Sequence, residues 1–410
     1  MTIIKPFKAI RPTRDKAYLV ATRPFYAYNN EVLQTKLNHN PYTFLHVINP
    51  EFHTDDKTQP NTPERFQKIR NKFVEFINEG IFMKEDVPSF YLYRQTVEGH
   101  EYIGLIAGAS VEQYNNGHIK RHEDTITERE SVFSNYLKIV EFNAEPVLLF
   151  HRRHDALNRL MAPVMLNRPE YEFTSWDRGK HEIWMIKSPA AIEKIQTYYK
   201  EIEDVYIADG HHRCASSAGY SNSIEQKTSE NQDLFLACFM SQERIKIFDY
   251  NRLVQDLNGL TDEDFLDEVS QSFIITEVHQ EDAAPLGLHE ITMYLRHQWY
   301  KLTAKEGTFD RDHPVFKLDT DILTKNILNP ILDLHDLKTN ERISFINGKK
   351  GMEGIKNAVD ANRAKVGFGL FPVSVSDLKR VSDENLRMPP KSTWIEPKLR
   401  SGLTIFPLDD

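Results

Sequence analysis

The run Val205-Tyr206-Ile207-Ala208-Asp209-Gly210-His211-His212-Arg213-Cys214 carries more information than any other stretch of the chain. Three β-favouring residues, Val205 to Ile207, stop at Asp209-Gly210, and the small residues Ala215 to Ala218 then continue as a helix. Gly210 lets the backbone turn tightly and come close to a ligand. A helix starting at His211 points its first N–H groups and the positive end of its dipole at whatever occupies the turn. Arg213 adds a forked cation suited to phosphate or carboxylate. Asp209 stands at the strand end, in place for a base or a metal ligand. An Asp-Gly turn followed by solvated histidines accounts for the same residues equally well.

Composition bounds the rest. The 410 residues exceed one small core and imply two or three domains. A hydrophobic share of 40% and a charged share of 27% describe an ordinary globular protein. The net charge of −9 argues against a general nucleic-acid binder, which shows a basic stripe. The two cysteines, Cys214 and Cys238, form no CxxC pair and read as small buried hydrophobes. Neither a signal peptide nor a membrane-length apolar window is recognisable, so a cytoplasmic location with no membrane partner is expected.

Along the chain, Thr62-Pro63 opens a helix whose buried face is Phe66, Ile69, Phe73, Phe76 and Ile77. Ser89–Gln95 and Tyr102–Ser110 read as strands joined at Glu98-Gly99-His100. A helix is expected from Asp124 to about Ile139, and a strand over Pro146–Phe150. A further strand spans His181–Ile186, and a helix Pro189–Tyr199 leads to the Asp209 turn. Leu234–Met240 and Ile245–Tyr250 read as a hairpin around Ser241-Gln242-Glu243, and Ile291–Leu302 as a long strand or hairpin. Strands and helices mixed without a regular βαβ rhythm give an α+β class, with mixed sheets and flanking helices. Composition shifts divide the chain into residues 1–150, 151–260 and 261–410.

Two further clusters carry chemistry. Lys120-Arg121-His122-Glu123 joins two cations, an imidazole and a carboxylate between a strand and a helix. That set suits anion binding and proton transfer, and equally a charged first helical turn. Lys391-Ser392-Thr393, with Lys398, Arg400, Ser401 and Gly402 behind, lies on a segment held by Pro389, Pro390 and Pro397. Such donors on a rigid loop suit phosphate oxygens; a packed C-terminal segment with exposed charges is the alternative. Neither a Walker-type loop nor a zinc-protease spacing occurs.

The Asp209–Arg213 segment resembles the Asp-Gly-His-His-Arg box of the ParB/sulfiredoxin-like superfamily, which includes free-serine kinases. A fuller resemblance is to the domain-of-unknown-function 1015 family. It rests on Ile10-Arg11-Pro12, Asn40 to Val47, Ile119 to Glu123, Ile207 to Arg213 and Met388 to Trp394. The first resemblance implies a ParB/sulfiredoxin-like central part. It also implies phosphoryl transfer or hydrolysis on a small phosphorylated metabolite, free serine or phosphoserine, by a kinase or a phosphatase. On the residues themselves the candidate catalytic set is Asp209, His211, His212 and Glu123, with Asp209 holding Mg²⁺ or orienting the nucleophile, while the catalytic glutamate of the shorter kinases has no assigned place in this chain. Gly210, Arg213, Lys120, Arg121, His122, Lys391, Ser392, Thr393 and Lys398 would bind substrate or phosphate, with ATP or ADP as cofactor of a kinase. A non-catalytic regulator that binds a phosphorylated ligand is the alternative.

Overall fold

In a computed structural model the described residues are 1–409, with Tyr26 described without its side chain. They form two compact units: Met1–Ile245 with the segment from Pro397 onward, and Lys246–Glu396. The class is α+β, as the sequence implies. The expected division at 150/151 is not one: it falls inside the buried strand Val147–His151, which pairs with strands later in the chain. The expected break near 260 lies instead at 245/246, and the last residues return to the first unit.

The first unit is built on one nine-stranded sheet. Its strands are β1 (Ile4–Lys5), β2 (Phe90–Val97), β3 (His100–Ser110), β4 (Ile119–Lys120), β5 (Val147–His151), β6 (Tyr171–Thr174), β7 (Lys180–Ile186), β8 (Val205–Asp209) and β9 (Leu234–Ser241). The order is β4-β8-β5-β9-β3-β2-β7-β6, with β1 also on β3. Only β4/β8 and β5/β9 are parallel pairs. The central strand β9 is buried along its whole length, which explains its unbroken apolar run. The hairpin expected after it does not form: β9 pairs with β3 and β5, while Lys246–Phe248 pairs with Trp394–Glu396. The β2/β3 hairpin forms as expected, with Glu98 and Gly99 both at positive φ.

Five helices of this unit matter below: α1 (Pro63–Asn78), α2 (Thr127–Val140), α3 (Asp155–Met161), α4 (Pro189–Lys200) and α5 (His211–Asn222). Thr62 caps α1 by accepting from the Arg65 N–H, with Pro63 in the first turn. Helix α5 is rich in Ala and Ser because it is buried: Cys214 to Ala218 are all covered. Helix α2 packs so closely that a Cβ on Gly219 would lie 2.7 Å from the Ser134 hydroxyl. Cys214 and Cys238 are buried and unbridged. No helix among the described residues is long and apolar enough to cross a membrane.

The second unit has a six-stranded sheet, antiparallel at every pairing. Its strands are β10 (Tyr250–Val254), β11 (Phe273–Val278), β12 (Glu290–Leu295), β13 (Gln298–Ala304), β14 (Ile343–Asn347) and β15 (Val366–Gly369), in the order β11-β13-β12-β15-β10-β14. The Ile291–Leu302 stretch resolves as the β12/β13 hairpin, turning at Arg296 and His297, both at positive φ.

Candidate functional site

Strand β8 ends at Asp209 after a register shift against β5, so the last residue leaves the regular pleat. Gly210 follows at φ 103°, a conformation that L side chains avoid. A Cβ there would also meet the Arg213 guanidinium at 3.1–3.2 Å. The turn thus folds Arg213 back over its own start. Its Nη2 donates to Asp209 Oδ2 at 2.7 Å, and its Nη1 donates to the Pro146 carbonyl at 2.6 Å and lies 2.9 Å from Glu145 Oε1.

The second cation on Asp209 comes from the far end of the chain. Lys398 Nζ donates to Asp209 Oδ1 at 2.7 Å. Burial alone would raise the Asp209 pKa, but Lys398 and Arg213 together outweigh it and hold the carboxyl below its ordinary range. Glu145 extends the network by accepting from Ser401 Oγ at 3.3 Å. Two residues after Lys398, the buried Arg400 binds both Asp177 oxygens at 2.7 and 2.8 Å and reaches Ser175 at 3.1 Å. The C-terminal segment is therefore tied into the first unit by two cations.

The Lys120–Glu123 segment lies beside the turn because β4 runs parallel to β8, with Lys120 opposite Tyr206. His122 and His211 are both buried, their rings edge to face at 4.5 Å between centroids. The His122 N–H approaches His211 Nε2 at 3.5 Å, and Glu123 Oε2 lies 3.8 Å from His211 Nδ1. His212 Nε2 accepts from the Ile126 N–H at 3.2 Å. Both histidines thus brace the 122–126 segment against the start of α5. Lys120 lies 3.4 Å from Asp204, and the Arg121 guanidinium lies over the Tyr114 ring at 5.8 Å.

Of the C-terminal cluster, only the part from Lys398 onward belongs to this unit. Lys391, Ser392 and Thr393 belong to the second unit. There Lys391 lies over the Tyr250 ring, and the buried Ser392 hydroxyl donates to the Pro389 carbonyl at 2.7 Å. Glu145 was not singled out from the sequence, because nothing local marks a glutamate before Pro146 as an Arg213 partner. A protein-held Mg²⁺ at Asp209 does not fit the residues present. Both of its oxygens accept from cations, and no group of three acidic, His or Cys ligands occurs among the described residues.

Comparison with known proteins adds family and form. The model of a family described as "Protein of unknown function (DUF1015)" matches residues 4–321. No curated protein matches in sequence. Among solved structures, a free serine kinase in complex with AMP is 11% identical, covering 73% of this chain and 91% of its own, with a TM-score of 0.37. SbnI with a C-terminal truncation, from Staphylococcus aureus, is 13% identical, covering 74% and 87%, with a TM-score of 0.41. A conserved hypothetical protein from Pyrococcus furiosus is 11% identical, covering 75% and 96%, with a TM-score of 0.37. Likeness at this level says nothing about ligand or activity, so the functional reading rests on the chain's own residues.

Proposed function

Since the chain belongs to the DUF1015 family, whose description names no chemistry, we propose from its site that it is an enzyme of phosphoryl transfer or hydrolysis. Its substrate in this reading is a small phosphorylated metabolite, with free serine or phosphoserine the specific candidate. The observation that carries the reading is the set of groups gathered at the start of α5. Two cations, Arg213 and Lys398, share one ionised carboxylate, next to a glycine-opened helix N-terminus. A dianionic phosphate needs several donors at once, and positioning with charge stabilisation is most of what its transfer requires.

Asp209 has the role of holding the two cations apart and aimed. Lys398 carries three N–H donors, so one ammonium can keep Asp209 and still meet a phosphate oxygen. Glu123 is the candidate base for a serine hydroxyl or a water, since it is partly exposed and stands by His211. His211 and His212 position the segment that carries Glu123. Lys391 and Ser392 are left out of this reading because their polar ends are used inside the second unit. ATP or ADP enters only in the kinase form of the reading.

A non-catalytic binder of the same ligand is the second reading. It is favoured by the observation that Asp209 is held ionised by two cations, which makes it a poor base. Turnover separates the two. Phosphoserine alone, phosphoserine with ADP, and serine with ATP, each with and without added Mg²⁺, should give product in one arm. Saturable binding of phosphoserine with no product in any arm would establish the binder, and no binding would end both readings.

A further inference from the structure

A cavity of about 430 Å³ opens in the first unit, away from the Asp209 turn. It lies where the parallel strands β5 and β9 end, against helices α3 and α4. In the β5/β8 register, His151 stands opposite Val205 and Leu148 opposite Asp209. The cavity is thus four strand residues from the turn, about 13 Å along the sheet. Its size falls within the usual range for small-molecule sites.

The lining is ordered by chemistry. Met161, Phe239 and Tyr199 form the buried apolar part. The buried His151 shares their depth, and its Nδ1 lies 2.7 Å from the Arg152 carbonyl. A carbonyl only accepts, so Nδ1 carries the proton and Nε2 presents a lone pair. Burial pushes this imidazole down to about 4, so it is a neutral acceptor at physiological pH. The Tyr199 ring meets His151 edge to face. Glu243, bonded by the Ser241 hydroxyl, supplies a negative charge at the lining's more exposed part, and Arg244 and Arg153 supply positive ones, with Arg153 already paired to Asp155.

We infer that this cavity is a binding site for an aromatic amino acid whose ring bears an N–H or O–H. The ring enters among Met161, Phe239 and Tyr199 and donates to His151 Nε2. The ammonium meets Glu243 and the carboxylate meets Arg244. A purely apolar ligand would leave the His151 lone pair buried without a donor, and an anion alone would face Glu243. Nothing in this site takes part in the chemistry proposed at Asp209.

Calorimetric titration of the full chain with L-tryptophan tests the inference. Saturable binding is expected, weaker by about tenfold or more for L-phenylalanine, which lacks the ring donor, and for tryptamine and indole-3-propionate, which each lack one charge. Ala162→Trp, which fills the cavity, should abolish binding, and Arg244→Gln at its more exposed part should weaken it by about tenfold or more. Asp209→Asn should leave tryptophan binding unchanged, so failure here and failure of the phosphoryl reading are distinguishable. No saturable heat up to about 10 mM for any of these ligands, well above the affinities usual for specific sites, would overturn the site. So would equal binding to wild type, Ala162→Trp and Arg244→Gln.

Discussion

The half-buried Asp209 and Asp177 of the first unit and the buried Asp319 and Asp249 of the second are treated in opposite ways. In the first, Asp209 is held low by Lys398 and Arg213 against its burial. Asp177 is held at about 2, with Arg400 overcoming burial, and the buried Glu51 sits at about 2 on Lys68, Thr58 and Arg65. In the second unit burial wins at Asp319 and Asp249, although at the buried Asp377 Lys317 outweighs it. Asp319 is raised to about 7 and Asp249 to about 6, each with one oxygen that finds no hydrogen-bond partner among the described residues. Spacing explains why nearby arginines act so differently. Asp209 and Arg213 are four apart across a helix start, where such residues share a face. Asp249 and Arg252 are three apart at a strand, where successive side chains alternate faces. Arg252 therefore bonds to the Tyr250 carbonyl and lies over Phe345, and leaves Asp249 unpaired by it. An acid and a base close in sequence become an ion pair only when the local backbone puts them on one side.

The sharpest way to break this contrast is Asp209→Asn, which keeps the shape but removes the charge that aims two cations. Turnover should fall by roughly two to three powers of ten, as read by product formation from phosphoserine or serine. Normal turnover in a folded variant would show that the ionised carboxylate is not part of the chemistry.

Asp319→Asn probes the other unit. A carboxyl raised from 3.8 to about 7 keeps its proton in the folded state while the unfolded chain loses it. Stability of the second unit should therefore fall with rising pH across that window, by up to about 1.4 kcal/mol per pH unit. Hydrogen exchange read by mass spectrometry, unit by unit, should show that slope in the wild type, and in Asp319→Asn its loss above about pH 6 and its reduction below. Asp249→Asn should remove a similar slope over a shorter window, ending near pH 6 because Asp249 is raised only to about 6. A flat wild-type profile would mean that both carboxyls ionise freely.

Lys398→Met carries the smallest expected effect and the opposite sign with pH. The lowered Asp209 contributes stability above its unfolded value of 3.8, and loses it as pH falls through the folded value. At about pH 7 the variant should be less stable by ~1.5–3 kcal/mol, measured by urea unfolding. The gap to wild type should close on acidification, as Asp209 takes up a proton in both. A gap that persists unchanged at low pH would assign the loss to packing of the lysine stem rather than to charge.

Much of the element list is legible in the chain because its causes are local. The Thr62-Pro63 start, the Glu98-Gly99 turn and the break at Asp209-Gly210 each follow from what one residue's backbone tolerates. Helix α2 starts at Thr127, three residues after the expected Asp124, because acidic residues suit a loop before a helix as well as its first turn. The hairpin expected around Ser241 failed for another reason. An apolar run says that a strand is buried, not which strands bury it, and β9 found β3 and β5.

The sequence by itself determined the α+β class, the strand-turn-helix at Asp209 and the chance for Arg213 to fold back on Asp209, since these are settled within a few residues by φ, ψ and helical spacing. Only the tertiary structure decided that Lys398, 189 residues away, supplies the second cation. It also decided that Glu145 joins the network, that Glu123 stands by His211, and that Lys391 and Lys398 belong to different units. Those placements follow from which strands pair and where the chain's end returns. Their energies are shared among many distant contacts, so no short stretch of sequence contains them.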